Sequence, residues 1–138
     1  MLHVYDLIKE HEGLRLKPYR CTAGKLTIGY GHNLDDNGIT EDQAERMLIE
    51  DVANVEKELV RNIPWFAELD IVRQSILIDM AFNLGWPRLS KFKKTLAYIK
   101  SGEYNEAAME MLDSVWANQV GERAIRLAEM MRTGEWPE

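Results

Sequence analysis

The 138-residue sequence predicts an α+β fold that is mostly helical, with a small hairpin-bearing lobe and a larger helical lobe joined by one long helix. Three observations predict it. Turn and strand cues crowd into residues 17–36, where Pro18, Ala23-Gly24, the β-favouring Leu26-Thr27-Ile28, Gly29, Gly31 and Asn33 follow one another. A capped apolar periodicity then runs from Thr40 to about Arg61, and past Asn62-Ile63-Pro64 the apolar residues keep helical spacing.

Taken in order, Leu2, Tyr5, Leu7, Ile8 and Leu14 predict a first helix that closes near Gly13. Two or three short strands follow. Thr40-Glu41-Asp42-Gln43 is a capping box, with Ile39 and Ala44 as a weak hydrophobic staple. Ala44, Met47, Leu48, Val52, Val55 and Leu59 carry the next helix, roughly 30 Å long at 1.5 Å per residue. Pro64 breaks it. Leu69, Val72, Ile76, Leu77, Met80, Ala81 and Leu84 form the most apolar run, expected to be the central buried helix and ended by Gly85-Trp86-Pro87. Further helices are expected at about 89–100, 103–112, 115–119 and 122–132, with Gly102 and Gly134 as C-terminal stops. The whole is read as one domain, 1–138. Residues 13–62 form its small lobe with the linking helix, and 1–12 with 63–138 the helical lobe.

Hydrophobic content of 46% and charged content of 29% are those of an ordinary globular protein with a real core. The N-terminal residues show no secretory signal, and no apolar stretch approaches the roughly 18 residues that span a membrane, so no stable membrane anchor is expected. The single Cys21 excludes an internal disulfide, in keeping with a reducing compartment. A net charge of −6 argues against nucleic acid as partner. Arg88, Lys91, Lys93 and Lys94, with Lys100 nearby, run the other way; they read as a solvated helix face that locally offsets the acidic surface.

Glu12 ends the first amphipathic stretch, Cys21 lies nine positions on and Thr27 six further, within the turn-rich segment. A carboxylic acid at a helix end facing a hairpin with a second polar group is a glycosidase layout: one group protonates the leaving oxygen, the other serves the opposite face of the sugar. A solvated Glu, a buried Cys and a strand Thr would give the same letters.

The surrounding residues separate the two readings. Glu12-Gly13-Leu14-Arg15-Leu16-Lys17-Pro18-Tyr19 and Thr27-Ile28-Gly29-Tyr30-Gly31-His32 resemble the bacteriophage lysozyme family, the T-even type of muramidase. The family pattern is Glu, eight residues, Asp or Cys, five residues, Thr. The likeness continues through Gly38 to Glu45, Asp79 to Gly85, Trp116 to Gln119, Arg123-Ala124 and Arg132 to Trp136. It implies a lysozyme-like two-lobed fold with a cleft facing Glu12 and the hairpin. It further implies an endolysin that hydrolyses the β-1,4 bond between N-acetylmuramic acid and N-acetylglucosamine in peptidoglycan, with inversion. Glu12 would be the general acid, with a raised pKa and Arg123 orienting its carboxylate. Thr27 would hold the attacking water together with Cys21, which replaces the Asp of better-known members. At Cys21 the base, nucleophile and water-holder roles stay open, and a thiol beside a carboxylate is expected to be mostly neutral at pH 7.

The same resemblance pairs His32 with Asp51 in a structural salt bridge, and Asp51 falls near the apolar face of its helix. Phe82, Asn83, Thr95, Asn118, Gln119 and Asn33 match or stand at substrate-binding positions, with Asn33 and Glu110 differing from the better-known member; Trp116 lies beside the cleft or in the core. No cofactor is implied, and His3, His11 and His32 lack metal-ligand spacing. The expected life history is a monomer in the host cytoplasm until lysis, then at the cell wall or periplasm, released by a separate membrane-permeabilising protein. Two rivals remain: a lytic transglycosylase, which needs no water-holder, and a non-catalytic wall-binding module of the same fold.

Overall fold

In the computed structural model, which describes residues 3–137, the first helix α1 spans Val4–Glu12. Leu2, expected on its apolar face, lies outside the described residues. The Tyr5 N–H donates to the His3 ring at 3.2 Å and the His3 N–H to the Asp6 carboxylate at 3.1 Å, so two of the helix's orphan donors are satisfied at its start. Gly13 ends the helix, its N–H returning to the Lys9 carbonyl.

Three antiparallel strands follow in the order β1 (Arg15–Arg20), β2 (Leu26–Gly29) and β3 (His32–Asn33). The β1–β2 ladder is irregular between Arg15 and Tyr19, where Pro18 has no N–H to offer. A one-turn helix α2 (Leu34–Asn37), not among the elements expected from the sequence, closes the segment, and its start depends on Asn33, whose side-chain oxygen accepts the Asp36 N–H at 2.9 Å. The Thr40 box opens α3 (Glu41–Asn62) as expected: the Gln43 N–H donates to the Thr40 hydroxyl at 3.1 Å and the Thr40 N–H to the Gln43 amide at 2.9 Å.

The chain divides into two compact units, 1–47 and 48–138, and the division falls inside α3. The first unit groups α1 with the sheet, whereas the lobes drawn from the sequence set 1–12 with the helical part. Two side-chain contacts join α1 to the sheet segment: the Lys9 ammonium lies over the Tyr30 ring at 5.4 Å, and Glu12 lies against Gly31.

In the second unit a single 3₁₀ turn at Phe66–Glu68 leads into α4 (Ile71–Leu84), whose Ile76, Leu77 and Met80 are fully buried, as expected of the central helix. Around it stand α5 (Trp86–Leu89), α6 (Lys93–Lys100), α7 (Tyr104–Leu112), α8 (Val115–Val120) and α9 (Glu122–Thr133). Leu59 and Ile63 at the end of α3 join this core with Phe66, Met111 and Met131. The helix expected over 89–100 begins only at Lys93, as α6, and the short α5 precedes it. Pro87 sits in the first turn of α5, where its missing N–H costs nothing, and the Ser90 hydroxyl donates to the Pro87 carbonyl at 2.8 Å as the chain turns before α6. No helix among the described residues is long and apolar enough to cross a membrane.

Candidate active site

Glu12 is the last residue of α1, and its own unit leaves the carboxylate open to water. It lies against the β2–β3 turn. Gly31 in that turn has a φ of +75°, and a Cβ built there would stand 2.8 Å from the Glu12 Oε2 and 3.0 Å from its Cδ. Two constraints therefore meet at one glycine: a left-handed backbone and no room for a methyl group beside the acid. Gly31→Ala is expected to lose about 1–2 kcal/mol of stability from backbone strain. It should also lose on the order of a hundredfold in rate, because the new methyl displaces the carboxylate. A urea melt and a peptidoglycan-clearing assay on the same preparation check both, and a fully active variant would remove Gly31 from the positioning of Glu12.

Cys21 and Thr27 stand on one hairpin. The Gly24 N–H donates to the Cys21 carbonyl at 2.8 Å and the Cys21 N–H to the Lys25 carbonyl at 2.9 Å, closing a tight turn in which Gly24 takes a φ of +77°. Tyr19 faces Thr27 across the ladder. The turn acts on the thiol as well. Backbone N–H groups of Lys25 and then Ala23 act on the sulfur against its desolvation and hold the half-buried Cys21 thiol below its ordinary pKa. A depressed folded-state pKa means stability that is present above the unfolded value and lost as pH falls through the folded one. Thr27 itself is buried, at 2% exposure, and its hydroxyl donates to the Lys25 carbonyl at 2.8 Å. Its proton is thereby engaged, and its oxygen is left to accept one.

The remaining expected residues fall in different places. Asn33 caps α2, and its amide also donates to the Asp36 carboxylate at 2.9 Å. The His32 Nε2 lies 2.6 Å from the Gly38 carbonyl, which requires the proton on that nitrogen. Asp51 is exposed, beside the Val52, Val55 and Leu59 stripe of α3 near which the sequence places it. In the second unit Arg123 on α9 is held by Asp79 on α4, its Nε donating to the carboxylate at 2.8 Å and a terminal nitrogen to the Asp79 carbonyl at 3.3 Å. Asp79 was missed as its partner; the 44-residue separation leaves no periodic signal.

A groove of about 660 Å³ in the second unit is lined by Thr95, Glu110, Trp116 and Gln119, with Arg88, Lys91, Lys93 and Lys94 along it. All four basic residues are exposed, as on a solvated face, while also lining this groove. Thr95 is buried, at 3% exposure, so it presents little of its side chain there. Trp116 is core as well as lining: it is buried, stacks edge-on to Phe92 at 6.2 Å, and donates its indole N–H to the Asn83 side-chain oxygen at 2.9 Å. Asn83 keeps its amide donors free of that bond. Phe82 and Asn118 are exposed on α4 and α8. Among the described residues no group of three or more His, Cys, Asp or Glu side chains forms a metal-binding cluster.

A family model described as phage lysozyme matches residues 9–132, which includes Glu12, the whole sheet and Arg123. The endolysin of Acyrthosiphon pisum secondary endosymbiont phage 1 is 36% identical over 121 residues, covering 85% of this chain and 80% of that protein. Probable T4-type lysozyme 1 of Dictyostelium discoideum is 27% identical, with 95% of this chain and 94% of that protein covered. The endolysin of Bacillus phage B103 is 35% identical over 78% of this chain, and the matched part is 42% of its own length.

Proposed function

Because the chain belongs to the phage lysozyme family, we propose that it cleaves the β-1,4 bond between N-acetylmuramic acid and N-acetylglucosamine, inverting the anomeric carbon. It is a lysozyme, a peptidoglycan-hydrolysing endolysin. The observation that supports the finer reading is the turn around Cys21, which lowers the thiol pKa on the hairpin that follows Glu12 and also carries the Thr27 hydroxyl.

In this mechanism Glu12 gives its proton to the departing sugar oxygen as the glycosidic C–O bond breaks. A water donates one hydrogen bond to the Thr27 oxygen and the other to the Cys21 sulfur, so its lone pair faces the anomeric carbon. As the new C–O bond forms, that second proton passes to the sulfur, and it returns to Glu12 through solvent. A thiolate also adds the negative charge that an oxocarbenium-like transition state needs. Asn33, Phe82, Asn83, Asn118 and Gln119 would supply polar and stacking contacts to the glycan, with the basic-rimmed groove beside Thr95 taking its anionic parts. The protein acts as a monomer that waits in the host cytoplasm and reaches the wall once a separate protein has permeabilised the membrane.

The test is product analysis on purified peptidoglycan. Hydrolysis leaves reducing ends one water heavier than the anhydro ends of a transglycosylase, and nuclear magnetic resonance of the first-formed anomer reads the stereochemistry. Cys21→Asp is expected to match or exceed the wild-type rate, and Cys21→Ala to lose on the order of a hundredfold. A retained anomer, or a fully active Cys21→Ala, would overturn the role given to the sulfur.

A further inference from the structure

The hairpin that carries Cys21 does not rest on its own turn alone. The Leu26 N–H, at the start of β2, donates to the Asp35 Oδ2 at 2.6 Å. The Arg20 guanidinium, at the end of β1, lies 3.6 Å from the same Asp35 oxygen and donates to the Gly24 carbonyl at 3.1 Å. The Lys25 ammonium donates to Asp36 Oδ1 at 3.0 Å. Asp36 is itself fixed, its N–H and its other oxygen both bonded to Asn33. Two consecutive carboxylates on the one-turn α2 thus tie residues 20, 25 and 26, which bracket the turn on both sides. We infer that Asp35 and Asp36 are positioning residues for the reaction: they set the turn so that the Lys25 and Ala23 N–H groups face the Cys21 sulfur and Thr27 stays beside it.

Each tie has a consequence for the sulfur. Lys25 contributes the N–H with the largest effect on the thiol, and its side chain is the one Asp36 holds. Gly24, the left-handed residue that lets the turn close, has its carbonyl held by Arg20, which Asp35 orients. The charged groups around the sulfur's turn are Arg20, Lys25, Asp35 and Asp36, so the two acids also offset two cations. With an acid removed, the freed cation would by charge alone lower the thiol pKa further. A loosened turn would instead withdraw N–H groups and raise it. The two effects have opposite signs, which makes the experiment decisive.

The inference rests on Cys21 working in the reaction, so the experiment separates the two. Asp35→Ala and the milder Asp35→Asn, which keeps an acceptor for the Leu26 N–H, are compared with wild type in three measurements. These are the pH profile of Cys21 alkylation by iodoacetamide, kcat and KM on peptidoglycan, and the melting curve. The expected result for Asp35→Ala is an alkylation midpoint displaced to higher pH and a kcat lower on the order of tenfold, with KM unchanged. Asp35→Asn should fall between it and wild type. An alkylation profile that stays in place or moves to lower pH overturns the inference, and so does a displaced profile with wild-type kcat. In the latter case Cys21→Ala locates the fault: if it too is fully active, the role given to the sulfur has failed, and if it is inactive, only the positioning has. Should Asp35→Ala not fold, Asp35→Asn and Asp36→Ala answer the same questions.

Discussion

Glu12→Gln is expected to abolish peptidoglycan clearing while leaving the circular dichroism spectrum and melting curve of the wild type. The amide has the size and shape of the acid and keeps an oxygen to set against Gly31, which has no Cβ to meet it, so the change poses no new packing problem. What it lacks is a proton to give. General-acid catalysis contributes on the order of a hundredfold or more, and sugar leaving groups need it because an alkoxide departs badly. A turbidity assay on permeabilised cells, read beside the dichroism spectrum, makes the comparison. Residual activity above about a tenth of wild type in a normally folded variant would take the acid role away from this residue.

Arg73→Ala is expected to destabilise the second unit strongly, though Arg73 touches no residue assigned to the chemistry. Its side chain is only 12% exposed. The Nε donates to the Met131 carbonyl at 2.9 Å and one terminal nitrogen to the Arg132 carbonyl at 3.4 Å, satisfying the open end of α9. The other terminal nitrogen donates to Asp70 at 3.1 Å, and the guanidinium lies over the Tyr104 ring at 3.5 Å from its centroid. One side chain therefore joins the first turn of α4, the last turn of α9 and the start of α7. Removing it strands helix carbonyls, drops a cation–π contact and leaves a void, for a loss of about 3 kcal/mol. That corresponds to a fall in Tm of roughly 10 °C for a chain of this length. Arg73→Lys should recover little, since an ammonium cannot reach both carbonyls and lie flat on the ring. Urea melts give the number, and a loss below about 1 kcal/mol would mean the clamp is replaced by water without penalty. Gly134 belongs to the same device. A Cβ there would lie 2.8 Å from an Arg73 nitrogen, so a side chain at this stop residue would push the guanidinium aside, besides straining its φ of +72°.

The fold was legible where local chemistry decides it. The Thr40–Gln43 box, the apolar run of α4 and the glycines at 24 and 134 each carry their structure in neighbouring letters, and all four stand where the sequence put them. The break between α5 and α6 was not legible, because a helical periodicity from 89 to 100 survives a turn that the Ser90 hydroxyl makes with Pro87. Arg73 and Asp79 were invisible for another reason: their partners lie 58 and 44 residues away, and no spacing rule reaches that far. At the candidate site the residue types at 12, 21 and 27 were readable and the state of the sulfur was not. A neighbouring acid raises a thiol's pKa and the N–H groups of a turn lower it, and only the turn's geometry tells which acts on Cys21.

That geometry bears on which residues the position can hold. The groups that favour negative charge at residue 21 are mostly peptide N–H donors of Lys25 and Ala23, and the peptide chain keeps them whatever side chain stands there. A carboxylate and a thiolate are then two occupants of one anion seat made by the main chain, differing in reach and softness but not in what stabilises them. The hairpin can exchange Asp for Cys without rebuilding its surroundings, and gains by the exchange a group that oxidants and alkylating agents can reach.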